Sequence, residues 1–373
     1  MRVASLKDTL EGSQLALPIH GDGGRLMLGA GTRLTKRLIR TLKSRGYTRV
    51  AVQDPLAGPI EPDDAVSFET RNQAEKALDG AVCRLMAGQT PDLKVLTDAV
   101  DAIVDDLREN SRICMGVYSV RSYDQNTYTH SVNVCILSLS IADHLGWPLA
   151  KLRVLGIGAL LHDIGKILMP VQILNKPGAL TDQEYDLVKT HAQKGWKLLS
   201  GCFDAGFDAS RVALEHHERL DGSGYPKNLE GPQISDLGKI TAVADVYDAM
   251  TTDRPHRKAI FPEAVYAHMS QGKDVLFDGV LVDSLFSRVA LYPTGSILSL
   301  WGGYIAVVTR QDPRSNFRPF ARIVGGPGVT KPVDISLYSR PDIKINLLLD
   351  DYPPDTKRIV STDLGGTPHD SST

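Results

Sequence analysis

The chain reads as a mainly α protein, a helical bundle preceded by a small α+β module and followed by a small β module. Three observations carry this reading. Apolar residues recur at helical spacing almost continuously from Arg71 to about Tyr292. Before that run, short apolar stretches flank a single basic amphipathic segment. After Pro293 the period changes from helical to alternating, with Gly and Pro between the runs.

Residues 1–53 form the α+β module. Leu26 to Leu28 and Val50 to Val52 read as strands, and Lys36 to Ser44 as a helix that Gly46 terminates. Its basic residues, Arg33 to Arg49, read better as a solvated helix face than as an anion site. Residues 54–99 are a linker and helical connector, because Asp54 to Glu69 hold three prolines and several acids. Two helix patterns between Arg71 and Asn110 are broken at Gly88-Gln89-Thr90-Pro91. The second carries Leu93, Leu96, Val100, Ile103, Val104 and Leu107 on one stripe, which is a core face or the seam of a homodimer.

Residues 100–293 are the bundle. Val132 to Leu145 form a helix ending before Gly146, Thr181 and Glu184 form a capping box, and Pro262 suits a first helical turn. Residues 294–350 are the β module, with strands at Ile297 to Leu300, Tyr304 to Thr309, Phe320 to Val324 and Val333 to Leu337. Residues 351–373, rich in Pro, Asp, Ser, Thr and Gly, are expected to be a disordered tail.

Composition narrows the class. A chain of 373 residues with 42% hydrophobic and 23% charged residues has enough apolar material for more than one core. A net charge of -2 gives no general attraction for a nucleic acid polymer. Asp8 and Glu11 interrupt any signal-peptide core, and no run approaches the roughly 18 apolar residues of a membrane span. Cys83, Cys114, Cys135 and Cys202 lack CxxC spacing and read as reduced core thiols, so a cytoplasmic protein is expected.

Chemistry concentrates in the bundle. His130, His162-Asp163, His191, His216-His217 and Asp245 are metal-ligand types, and they take up five of the ten histidines. An adjacent His and Asp point about 100° apart on a helix, so both serve one site only if the helix ends there, and Gly165 supports an ending. Consecutive imidazoles at His216 and His217 are costly if buried without partners. Asp245 is a carboxylate in an apolar helix. His130 and His191 are weaker signals alone, since a single histidine on an apolar face is more often a hydrogen-bonded core residue. Lys166, one turn beyond Asp163, could bind phosphate or stabilise a leaving oxygen. A binuclear hydrolase is the first hypothesis.

These residues lie in longer matches: Tyr128-Thr129-His130-Ser131, LHDIGKI at 161–167, ILNKPGALT at 173–181, His191 with Gly195, HHERLDGSGYP at 216–226 and ADVYDAMTTDRP at 244–255. Over about residues 100–293 the chain resembles the HD-GYP family, a subgroup of HD-superfamily metal phosphohydrolases acting on cyclic di-GMP. The resemblance implies two divalent transition metals, Fe first, with Mn, Ni or Zn as alternatives. His130, His162, Asp163 and Asp245 would surround one, and Asp163, His191, His216 and His217 the other, with Asp163 as the bridge. A hydroxide held between the ions would attack the phosphodiester in line, assisted by Lys166. Arg254, Arg257 and Lys258 would contact substrate phosphate. Gly224, Tyr225 and Pro226 would form a loop that shapes the substrate mouth or meets a diguanylate cyclase (GGDEF) protein.

The implied activity is hydrolysis of cyclic di-GMP to pGpG and onward to GMP. Its rivals are a low-activity or inactive cyclic di-GMP receptor that acts by binding a diguanylate cyclase, and a hydrolase for another cyclic dinucleotide or a nucleotide. The chain departs from the family pattern at Asn126, Ala192, Leu220 and His256. Asn126 stands where members with a third metal carry glutamate, so two metals are expected unless Asp124 takes that place.

Overall fold

The computed structural model describes residues 1–21, 25–60, 64–110, 126–174, 176, 178–202, 208–252 and 259–353. The described residues of Met1–His20, Leu26–Asp63 and Tyr292–Thr373 form one compact unit, and those of Gly21–Arg25 with Asp64–Leu291 form a second. The two end segments, read from the sequence as separate modules, thus share one unit. The physical reason is size, because neither two-stranded pair nor single small sheet can bury a core alone.

In the end unit, β1 (Arg2–Ser5) pairs antiparallel with β4 (Arg49–Val52), and β2 (Ile19–His20) pairs with β3 (Leu26–Leu28). Between them α1 (Lys36–Ser44) starts at the Thr35 cap, which accepts from the Leu38 N–H, and stops before Gly46 at φ +80°. The later chain adds β5 (Ile297–Leu300), β6 (Tyr304–Asp312), β7 (Ser315–Gly325), β8 (Val333–Ser336) and β9 (Ile345–Leu349). They form one antiparallel sheet in the order β8-β7-β6-β5-β9. Buried Arg2 ties the ends together, 2.9 Å from Asp54 and 3.0 Å from Asp351. Tyr352 packs in the core with Ala57, Ile297 and Val307. Asp351 and Tyr352 of the expected tail therefore belong to this unit, and residues 354–373 lie outside the described set.

The second unit is helical. It runs through α2 (Phe68–Met86), α3 (Leu93–Glu109), α4 (Asn126–His144), α5 (Leu149–Leu160), the short α6 (Val171–Leu174), α7 (Asp182–Ser200), α8 (Ala209–Glu215), α9 (Asp236–Thr251), α10 (Pro262–Gln271) and α11 (Gly279–Arg288). Residues 64–99, read as connector, belong to this bundle, and the α3 stripe from Leu96 to Leu107 is core within the chain. α4 is buried on every side from His130 to Ala142, as a helix at the centre of a bundle must be. The Thr181–Glu184 capping box closes both ways at the start of α7, and Ser235 caps α9. No helix among the described residues is long and apolar enough to cross a membrane.

One close approach sets the geometry of the site. α5 stops at Leu160, residues 161–163 turn, and a short 3-10 helix covers Ile164–Leu168. There Gly165 lies against α7 so tightly that a Cβ would stand 2.0 Å from the His191 carbonyl oxygen and 2.7 Å from the Gly195 nitrogen. Only glycine permits backbone to meet backbone at this depth. Gly165→Ala is therefore predicted to cost at least about 2 kcal/mol, because a helix rather than a side chain must move. Gly201→Ala, whose Cβ would meet nothing nearer than 4.0 Å, is the control and should stay within about 0.5 kcal/mol. Equal melting temperatures for the two variants would contradict this packing account.

Candidate metal centre

Five pieces of backbone deliver seven side chains to one place. α4 supplies His130, the turn after α5 supplies His162 and Asp163, α7 supplies His191, the end of α8 supplies His216 and His217, and α9 supplies Asp245. All are buried except His217, which is partly exposed. Their donor atoms fall into two groups, His130 with His162 and Asp245, and Asp163 with His191, His216 and His217. Within each group the atoms lie within 4.8 Å of one another.

Asp163 stands between the groups. Its Oδ2 is 3.4 Å from His162 Nε2 and 3.7 Å from His130 Nε2, while its Oδ1 is 3.3 Å from His191 Nε2 and 3.8 Å from His216 Nε2. One carboxylate thus turns one oxygen to each group. Asp245 makes a second link, with Oδ1 3.1 Å from His130 Nε2 and Oδ2 3.6 Å from His217 Nδ1.

The imidazoles are oriented from behind. His162 Nδ1 faces the Ala159 carbonyl at 2.7 Å, His191 Nδ1 the Val188 carbonyl at 2.6 Å, and His216 Nδ1 the Val212 carbonyl at 3.0 Å. A carbonyl only accepts, so each Nδ1 must donate, and a neutral ring then presents an Nε2 lone pair to the site. Consequently His191 Nε2 and His216 Nε2 face each other at 3.3 Å with lone pairs opposed. His162 Nε2 and Asp163 Oδ1 are buried without a hydrogen-bond partner among the described residues. Opposed lone pairs and an orphaned carboxylate oxygen are what a divalent cation would satisfy, and imidazole with carboxylate suits a transition metal.

The charges are arranged to keep the donors available. Burial opposes ionisation of Asp163, yet the Lys166 ammonium, in contact with Oδ2, and His162 hold its carboxyl well below the usual carboxylate range. For Asp245 burial is likewise overcome, first by His130 and then by His217. Burial drives His217 down to about 3 and His216 well below its ordinary value, with neighbouring imidazoles adding to the effect on both. His130 goes the other way, lifted against burial to about 9 by Asp245 and Asp248.

Asp248 is a site residue that the sequence pattern alone does not single out. It is fully buried and takes His130 Nδ1 at 2.6 Å and Asn133 Nδ2 at 2.9 Å. Its signal was available, since it lies three positions after Asp245 on one helix face. Glu218 was also passed over. It is buried and accepts the N–H groups of Lys227 at 2.7 Å and Leu229 at 3.0 Å, which folds the loop back. Gly224 packs on Glu218 so closely that a Cβ would lie 2.4 Å from the Glu218 Cα. Tyr225 then rests on His217 with ring centroids 4.6 Å apart, beside Pro226 in a cis peptide. The loop thus lays the partly exposed Tyr225 against one donor, His217.

Arg254, Arg257 and Lys258 lie outside the described residues, as do His256 and Asp124. Asn126 opens α4, four residues before His130.

A profile of the HD domain matches residues 118–281. The cyclic di-GMP phosphodiesterase PA4108 of Pseudomonas aeruginosa is 38% identical over 273 residues, covering 72% of this chain and 66% of that one. This chain belongs to the HD-GYP family. The response regulator RpfG of Xanthomonas campestris, also a cyclic di-GMP phosphodiesterase, is 41% identical to this HD-GYP chain over 146 residues, covering 39% of each. The chain thus spans just under two thirds of the first relative and well under half of the second. Bd1817, an HD-GYP-type protein of Bdellovibrio bacteriovorus, superposes with a TM-score of 0.48 at 19% identity, covering 76% of this chain and 97% of its own.

The opposed shifts predict the acid and alkaline limits of the metal-free protein. His130, raised from 6.5 to about 9, contributes stability that is complete below about pH 6.5 and lost as pH rises through 9. His217, lowered from 6.5 to about 3, contributes stability that is complete above about pH 6.5 and lost as pH falls toward 3, and His216 acts in the same sense. The melting temperature of stripped protein should therefore peak near pH 6.5. A profile flat between about pH 5 and 8 would contradict the cluster's electrostatics.

Proposed function

We propose that this HD-GYP protein is a metal-dependent phosphodiesterase that linearises cyclic di-GMP to pGpG and cleaves pGpG onward to GMP. The observation that carries the reading is the pair of donor groups sharing Asp163. His130, His162 and Asp245 would hold one ion, His191, His216 and His217 the other, and Asp163 both. We assign Fe as the natural metal, with Mn, Ni or Zn as alternatives the same donors accept. Bound there, the ions supply activation of water at neutral pH and neutralisation of charge on the phosphoryl oxygens.

The chain's own groups do the rest. Lys166 is about a quarter exposed beside Asp163, so its ammonium can reach a phosphoryl oxygen from the open side of the cluster. Tyr225 against His217 narrows the mouth and limits water there. Arg254, inside the motif at 244–255, and Arg257 and Lys258, just beyond it, are assigned to the substrate phosphates from the sequence alone, with guanidinium forks suited to paired oxygens. The exposed rim formed by Asp221, Ser223, Lys227 and Asn228 is where we place contact with a diguanylate cyclase. Free Cys83, Cys135 and Cys202 fit a reducing, cytoplasmic setting.

The names of PA4108 and RpfG support cyclic di-GMP as substrate. A second reading has its own observation: a 3'3'-cGAMP-specific phosphodiesterase of Vibrio cholerae is 36% identical over 154 residues. Anaerobic purification, metal analysis and turnover of both dinucleotides on one sample separate the two readings. Faster cleavage of 3'3'-cGAMP would displace the first. A complete, metal-filled site with no turnover would favour a receptor. Replacing Arg254 and Arg257 together by Met is predicted to raise KM for cyclic di-GMP at least about tenfold while metal content stays unchanged. Turnover of a small artificial phosphodiester should fall much less, and equal losses on both would assign these arginines to the fold.

A further inference from the structure

Three of the imidazoles take their orientation from backbone carbonyls of their own helical segments. His130 takes its orientation from side chains. Its Nδ1 faces Asp248 Oδ2 at 2.6 Å, Asp248 Oδ1 accepts from Asn133 Nδ2 at 2.9 Å, and Asn133 Oδ1 accepts from the Arg71 guanidinium at 3.0 Å. Asn133 and Asp248 are buried at 7% and 0% exposure, so water has little part in this chain of contacts. Arg71 stands in the first turn of α2, outside the residues 118–281 that match the HD domain.

The polarity of the relay follows from its donors. A guanidinium only donates, so Asn133 must turn its carbonyl oxygen toward Arg71 and its amide hydrogens toward Asp248. An ionised carboxylate only accepts, so His130 donates its Nδ1–H to Asp248 and turns Nε2 to the cluster. Without Arg71 the amide of Asn133 could rotate and set oxygen against oxygen at Asp248. Two further residues on the same face of α2, one and two turns on, meet the same end of α4. Glu75 accepts from Thr129 Oγ1 at 3.0 Å, and Asp79 hydrogen-bonds the Tyr128 phenol. α2 itself is anchored, because the Ser67 N–H donates to Asp106 of α3 at 2.8 Å.

We infer that Arg71, acting through Asn133 and Asp248, is a positioning residue for His130, so that the polar face of α2 sets how firmly the first donor group holds its ion. This rests on the two-metal reading above. It also makes α2 a lever, because a small rotation of its first turn would loosen the ion at His130 more than the one whose ligands His191 and His216 lean on backbone.

Titration of the metal-free full chain with Mn2+, followed by calorimetry, tests it. The wild type should show two binding events. In Arg71→Met one should weaken by about tenfold or more while the other is unchanged. Arg71→Lys, which keeps a cationic donor, should recover part of the loss. Asp64→Asn, which removes only the exposed partner 3.0 Å from the other side of Arg71, should leave both events within about twofold of wild type. If Arg71→Met binds both ions as the wild type does, or loses both equally, the inference fails while the metal reading stands. A wild-type chain that binds no ion overturns both. Should Arg71→Met not fold, Asn133→Ser is read by the same two outcomes.

Discussion

Everything at this site depends on one carboxylate being in two places at once. Asp163 turns Oδ2 toward His130 and His162 and Oδ1 toward His191 and His216. It can do so because α5 ends at Leu160 and the chain turns, which releases adjacent His and Asp side chains from the divergence a continuing helix would impose. Gly165 then lets this turn sink onto α7 until His191 reaches the second oxygen. The charge so buried is tolerable only because imidazoles and Lys166 surround it.

The surrounding groups divide the work of holding that charge. On one side His130 is backed by a carboxylate and lifted in basicity, and on the other His216 and His217 are packed as neutral rings. The asymmetry has a structural source. His162, His191 and His216 lean on carbonyls three or four residues back in their own helical turns, a partner that comes with the helix. His130 instead borrows Asp248 from α9 and, behind it, Asn133 and Arg71. The two donor groups therefore differ in how much of the rest of the molecule they require.

Much of this was legible in the sequence, and the reason is chemical. Imidazoles and carboxylates inside apolar helices are anomalies, so His130, His162, Asp163, His191, His216, His217 and Asp245 stood out before any fold was known. The helix boundaries carried local signals too, as Gly46 and the Thr181–Glu184 box show. What escaped were residues whose role depends on neighbours distant in sequence. Asp248 and Glu218 look like ordinary acids until their partners Asn133, His130, Lys227 and Leu229 are beside them. The union of the two chain ends around Arg2, Asp54, Asp351 and Tyr352 escaped for the same reason, and so did β9, which pairs with β5, far back along the chain.

In the proposed centre Asp163 would be shared by two ions. Asn126 opens α4, and its amide lacks the charge that a glutamate would bring to a further divalent ion. The most direct test is electron paramagnetic resonance of the protein loaded with Mn2+, together with elemental analysis of the same sample. Two ions per chain are expected, with spins that would be exchange-coupled through the shared ligand, and Asp163→Ala should abolish the coupling. Three fully occupied ions, or two that give only isolated six-line signals in the wild type, would contradict it.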